Sequence, residues 1–304
     1  MAEMHEQRRF WSMTVSSPSI RDRLAAFVDA LGFPIEEPSH IVDLLIEERA
    51  GWLIEHPVLR HALRHVFYPL LKYDDAIRLA DAVADLSGFE AFGLVRDELR
   101  IRTHLRGQDN IPRSGFVFIV ANHPTGIADG VAVFDALSPV RPDLCFMANR
   151  DAIRVADGLT DMIIPVDWRK SCRTTTKTRE TVQGVNNAVR DQRAIVIFPS
   201  GRLAHMTMSG LKERPWLATA VTLARRYRAP ILPLRISSRN SWLYYALAML
   251  SNELRDITVF NELLNKRGAQ VGLTFGPTVD PGELPDDPDI AIGQLQRLVE
   301  NGMA

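Results

Sequence analysis

A histidine and a carboxylate stand six positions apart in the stretch Asn122-His123-Pro124-Thr125-Gly126-Ile127-Ala128-Asp129-Gly130. An imidazole paired with a carboxylate is a general base. The carboxylate fixes the tautomer and stabilises the imidazolium, while the other ring nitrogen takes a proton from a hydroxyl. Six positions on a regular helix are a rotation of about 600°, which puts His123 and Asp129 on different faces. They meet only if the chain reverses between them, and Pro124 and Gly126 are residue types that permit such a turn. The alternative is a histidine capping a helix and an aspartate in its first turn, with no chemistry.

The elements around the stretch favour a cleft. Phe116-Val117-Phe118-Ile119-Val120-Ala121 is an apolar run that reads as a buried strand, and Val131 to Leu137 reads as a helix packed on it. Polar side chains in a strand-to-helix corner reach a cleft while their backbone stays anchored. A second stretch, Ala194-Ile195-Val196-Ile197-Phe198-Pro199-Ser200-Gly201-Arg202, repeats the pattern, with a strand entering a turn that ends in arginine. That turn exposes backbone N–H groups, and the guanidinium offers a planar fork for phosphate or carboxylate. Alone it is an ordinary strand end with a surface arginine; one or two α/β repeats after the first motif, it is more specific.

Together the two stretches resemble the signatures of the glycerolipid/lysophospholipid acyltransferase superfamily: Asn-His…Asp after one strand, Phe-Pro-x-Gly…Arg after a later one. The form is most similar to the bacterial hemolysin-like branch, which includes lyso-ornithine-lipid acyltransferases and carries His-Pro-x-Gly-x-x-Asp-Gly. Phe146-Met147-Ala148-Asn149-Arg150 and Pro230-Ile231-Leu232-Pro233-Leu234 match two weaker blocks, and the likeness runs from about residue 100 to 280, through Leu263-Leu264-Asn265-Lys266-Arg267. Three departures are visible. One extra residue separates His123 from Asp129, Ser200 stands where the family usually has Glu, and Arg202 directly follows Gly201 where the family has one residue between.

The resemblance implies acyl transfer from a thioester, acyl-CoA or acyl-ACP (the acyl carrier protein form), to a lipid hydroxyl. The acceptor would be a lysophospholipid or a lyso-ornithine-type membrane lipid. His123 and Asp129 would be catalytic, and Asn122, Asn149, Arg150, Ser200, Gly201 and Arg202 would bind substrate, with backbone N–H groups near Gly201 holding the oxyanion. No cofactor, metal or covalent enzyme intermediate is implied, and the lack of a Gly-x-Ser-x-Gly elbow agrees.

The chain has 304 residues, 46% hydrophobic and 24% charged, with a formal charge of −1. This is ordinary for a globular protein and gives no reason to expect nucleic acid. Two cysteines, Cys145 and Cys172, form no disulfide framework and suggest a reducing compartment. The N-terminus lacks an apolar core of signal-peptide length, and no apolar run reaches about 18 residues, so no transmembrane span is expected. A lipid enzyme of this composition is then expected to be cytoplasmic and peripheral on the inner face of the membrane.

Residues 1–100 read as an N-terminal helical subdomain. Its helices open at Pro18, Ser39, Pro57 and Asp74, and the last is stopped by Gly88. Residues 101–304 read as an α/β domain with strands at 116–121, 143–148, 162–166, 194–198, 230–236 and 269–275. Helices are expected at 130–137, 151–160, 178–192, 216–227, 240–251, 259–267 and 288–301, which makes a largely parallel central sheet flanked by helices.

Three further features divide between function and packing. His61 and His65, four apart, could share a metal, but no Glu follows in a zincin pattern and Arg60 and Arg64 flank them, so a solvated or acceptor-facing helix fits better. Trp168 to Arg179 holds five basic residues and no acid, either a surface for anionic headgroups or an acidic carrier, or a solvated loop. The apolar segment Trp242 to Leu250 would line an acyl tunnel, dip into a leaflet, or form a buried core helix.

Two rival functions remain open at this stage. In an esterase or thioesterase water replaces the lipid hydroxyl. In a lipid-binding, membrane-docking module the fold stays without turnover, which leaves the base and its orienting carboxylate unexplained.

Overall fold

The computed structural model describes residues 39–51, 61, 63–167, 174–207 and 210–303. The helix expected at Pro18, the start at Pro57 and the first half of the basic segment, 168–173, lie outside these residues.

Seven strands form one sheet: β1 Arg102–Arg106, β2 Val117–Ala121, β3 Leu144–Asn149, β4 Ile163–Val166, β5 Ala194–Ile197, β8 Ile231–Ser237 and β9 Gln270–Phe275. Their order is β1-β9-β8-β2-β5-β3-β4, and every neighbouring pair is parallel except β8 with β9. A separate hairpin, β6 His205–Thr207 and β7 Gly210–Lys212, lies between β5 and β8 in the chain. The central strand β2 is buried at all five positions, the pattern of a parallel strand covered on both faces.

Helices supply both covers. On the described residues they are α1 Ile41–Glu47, α2 Tyr73–Val83, α3 Gly88–Leu99, α4 Ile127–Leu137, α5 Thr175–Arg190, α6 Thr219–Tyr227, α7 Trp242–Leu250, α8 Asn252–Asp256, α9 Val259–Leu264 and α10 Pro288–Arg297, with a short turn at Tyr68–Leu70. One face packs α4, through Ala132, Val133, Phe134 and Leu137, on Val117 and Ile119 of β2. The opposite face packs α5, α6 and α10 on Phe118, Val120, Ile195 and Ile197. The N-terminal helices share a cluster with the chain's later part, in which Val42, Ile46, Ala76 and Ala80 meet Ile257 and Leu264.

The expected strands and most helices are present with shifted ends, but four features differ. Residues 150–161 form two 3-10 turns, Arg150–Arg154 and Asp157–Asp161, instead of a helix. Gly88 starts α3 and does not stop the preceding helix. Ser87 caps α3 in a box with Glu90, and a Cβ on Gly88 would sit 2.1 Å from an Asp161 oxygen. Strand β1 and hairpin β6–β7 were not anticipated, because Arg102 to Arg106 alternates exposed and half-buried positions and His205 to Lys212 is short and polar. Helix α7 is not a buried core helix: Tyr244 and Tyr245 are buried, while Trp242, Met249 and Leu250 are 80%, 87% and 75% exposed.

Candidate active site

The sheet places the two motifs side by side. β2 and β5 are adjacent and parallel, with Val120 opposite Ile197, so the turns after them leave the same edge next to each other. Ligands of open α/β sheets gather at these carboxyl ends.

The first turn folds around Asp129. Gly126 is the N-cap of α4, with φ of +96°, a conformation L side chains rarely adopt. Asp129, in the first turn of α4, reaches back, and its Oδ2 accepts the N–H of Thr125 at 2.8 Å and of Gly126 at 2.9 Å. Its Oδ1 accepts the Thr125 hydroxyl. The carboxylate is 1% exposed, and His123 Nδ1 lies 3.0 Å from Oδ2, off the line of a well-formed hydrogen bond. Such bonds in unliganded sites are often poorly aligned and tighten with substrate. The helix-capping and base-orienting readings of Asp129 are thus compatible, since one carboxylate closes the turn and contacts the imidazole. Because Gly126 holds a positive φ that L side chains rarely adopt, Gly126→Ala is expected to cost about 1–3 kcal/mol of stability. Chemical denaturation would read that loss.

The second turn holds the histidine from the other side. The Phe198 ring stacks on His123, with centroids 4.2 Å apart and planes at 21°. Ala204 donates its N–H to the His123 carbonyl at 3.1 Å. Ser200 donates its hydroxyl to the Arg202 carbonyl at 2.7 Å, which shapes the turn. Gly201 donates its own N–H to the Phe198 carbonyl at 3.1 Å, which closes the turn. Arg202 is exposed and has no side-chain partner among the described residues, so its guanidinium is available to an anion.

The other expected binding residues are engaged within the protein. Asn122 donates its amide to Ile236 O at 2.8 Å and accepts Ile236 N–H at 2.6 Å, which ties the turn to β8 on the far side of β2. Asn149 caps the 3-10 turn after β3 by accepting the Asp151 N–H at 3.2 Å. Arg150 forms a two-pronged pair with Glu180 of α5 at 2.6 and 3.2 Å. Lys266 is buried against Asn240 at 3.1 Å and Glu262 at 3.7 Å; burial lowers its ammonium pKa against the pull of Glu262 and Asp129. Arg267 clasps Asp75 of α2 at 3.1 Å and Glu98 of α3 at 2.5 Å. His61 and His65 stack ring on ring at 3.9 Å, and no group of three or more metal-capable side chains occurs among the described residues.

One residue at the site escaped the sequence reading. Glu213, just after β7, accepts the backbone N–H of His123 on Oε1 and the indole N–H of Trp216 on Oε2, the latter at 2.6 Å. In the sequence it stands between Lys212 and Arg214 and looks like one more surface charge.

Residues 102–237, from β1 to the end of β8 and including both turns, match the family model described as Acyltransferase. Over that stretch, somewhat under half of its length, the chain is similar to the acyltransferase family. It is 26% identical over 188 residues to a lyso-glycine lipid O-acyltransferase of Phocaeicola vulgatus, covering 60% of this chain and 65% of that protein. A lyso-glycine lipid O-acyltransferase of Bacteroides thetaiotaomicron is 20% identical over 201 residues, covering 64% and 72%. The chain therefore spans just under two thirds of the length of the first relative. Among solved structures, the 1-acyl-sn-glycerophosphate acyltransferase PlsC of Thermotoga maritima aligns over 92% of this chain and 96% of that one, at 16% identity and a TM-score of 0.39.

Proposed function

We propose that the protein transfers a fatty acyl group from a thioester to a free hydroxyl of a lyso-lipid, with His123 as general base. The observation that carries this reading is the contact of His123 Nδ1 with the buried Asp129 carboxylate at the mouth of β2, beside the turn that presents Arg202. With Nδ1 turned to Asp129, Nε2 is the nitrogen that takes the acceptor's proton. The hydroxyl oxygen attacks the thioester carbonyl, the C–O bond forms, and the C–S bond breaks on collapse of the tetrahedral intermediate. The departing thiolate receives the proton held by the imidazolium. Asp129 stabilises that imidazolium, and no enzyme nucleophile takes part.

Arg202 holds the anionic group of the acceptor. The names of the two relatives support an amino-acid lipid, whose headgroup carboxylate suits a planar guanidinium, over a phosphate ester. The apolar side chains of Trp242, Met249 and Leu250 on α7 support docking on a lipid surface, and no helix among the described residues is long and apolar enough to cross a membrane.

The test is mass spectrometry of lipids after incubation with palmitoyl-CoA or palmitoyl-ACP and lyso-glycine, lyso-ornithine and lysophospholipid acceptors. An acylated lyso-glycine or lyso-ornithine lipid is the expected product. Free palmitate alone, with every acceptor present, would instead make the protein a thioesterase.

A further inference from the structure

Glu213 lies outside both motifs, yet it holds the backbone of the residue on which turnover depends. Its two oxygens accept the His123 N–H and the Trp216 indole N–H. Trp216 is itself fixed, buried at 5% exposure with its backbone N–H donated to Gln296 of α10 at 3.0 Å. The chain from Phe198 to Trp216 thus grips His123 at three points: the ring by Phe198, the carbonyl by Ala204 and the N–H by Glu213. We infer that Glu213 is a positioning residue for the transfer reaction, its carboxylate anchoring the His123 backbone so that the imidazole faces Asp129. The inference rests on the reading of His123 as the base.

Both donors favour the carboxylate, but burial outweighs them and pushes the Glu213 carboxyl up to about 7. The titratable groups facing it are the His123 imidazole, which favours its ionised form, and the Asp129 carboxylate, which opposes it; the nearby Gln296 of α10 is neutral. A folded value above the ordinary 4.5 has a definite sign. The stabilisation from holding this proton is complete below about 4.5 and is lost as pH rises through about 7. The anionic anchor predominates only above that midpoint, so the site is held best where the group contributes least to stability.

The test follows the amide proton at position 123 by NMR in full-length protein, as a function of pH. An N–H donated to a carboxylate is expected to move downfield as the carboxyl ionises, with a midpoint near 7. The transition should persist in His123→Ala, which keeps the N–H but has no imidazole to titrate, and vanish in Glu213→Gln. Glutamine offers one acceptor where two donors need partners. With palmitoyl-CoA and lyso-glycine lipid, Glu213→Gln should lower kcat about 10- to 100-fold with KM nearly unchanged, the cost of a slightly misplaced base. Glu213→Asp, which keeps the charge, should recover part of the loss and retain a titration at position 123.

A position-123 amide that shows no carboxyl-linked transition at any pH in the His123→Ala protein, or wild-type kcat in Glu213→Gln, would overturn the inference. The first readout uses no substrate and does not depend on a folded Glu213→Gln. Loss of turnover in His123→Ala beside an unaffected Glu213→Gln would remove this inference alone, whereas turnover retained by His123→Ala would remove the general-base reading itself.

Discussion

His123→Ala should lower kcat by about 10²–10⁴ while the protein melts close to wild type, because positioned general-base catalysis is worth that much and the side chain contributes little else. The imidazole stacks on Phe198 and is about a fifth exposed, so its removal opens no deep cavity. The structural work at this residue is done by its backbone, whose N–H and carbonyl both remain in the alanine variant. Steady-state transfer to a lyso-lipid, paired with a thermal melt, reads the two quantities separately. A folded variant with near-wild-type turnover would show that the proton leaves by another route.

Asp129→Asn should lose activity on a similar scale, about 10²–10⁴ in kcat, for a different reason. The asparagine oxygen can still accept the Thr125 and Gly126 N–H groups, and the Thr125 hydroxyl can turn to accept from its amide. The turn therefore closes, but the negative charge that stabilises the imidazolium is gone. Asp129→Ala goes further. It strips the acceptor from the start of α4 and leaves buried donors without partners, so a loss of about 2 kcal/mol of stability should accompany the lost turnover. Activity lost equally in both variants, with stability lost only in the alanine, would separate charge from capping. An active, stable Asp129→Asn protein would reduce the carboxylate to a cap.

These expectations depend on features of unequal visibility in the sequence. The apolar runs that became β2, β3, β5 and β8 were legible because a strand buried on both faces must be nearly continuous in apolar residues. The reversal between His123 and Asp129 was legible from Pro124 and Gly126, since few residue types tolerate what the turn demands. Strand β1 was not, because an edge strand needs no apolar run: its positions alternate between exposed and half-buried. The role of Gly88 was misread for a related reason. A glycine near a helix end marks a boundary, but whether a helix stops or starts there depends on Ser87 and Glu90 closing a capping box and on the close approach of Asp161.

What the sequence determined by itself was local: the strands buried on both faces, the turn chemistry, the pair of groups able to share a proton, and the arginine after β5. What only the tertiary structure decided was which of these groups remain available. Arg202 already looked the better anion holder because its turn adds backbone donors, but Asn122, Asn149 and Arg150 stood beside it as binding residues; the folded chain pairs those three with Ile236, Asp151 and Glu180 and leaves Arg202 exposed without a partner among the described residues. Glu213 went the opposite way, from an apparent surface charge to an anchor of the His123 backbone. The reason is that a strand or a turn is dictated by neighbours in the chain, whereas the partner of a polar side chain is set by whatever the sheet brings beside it from tens of residues away.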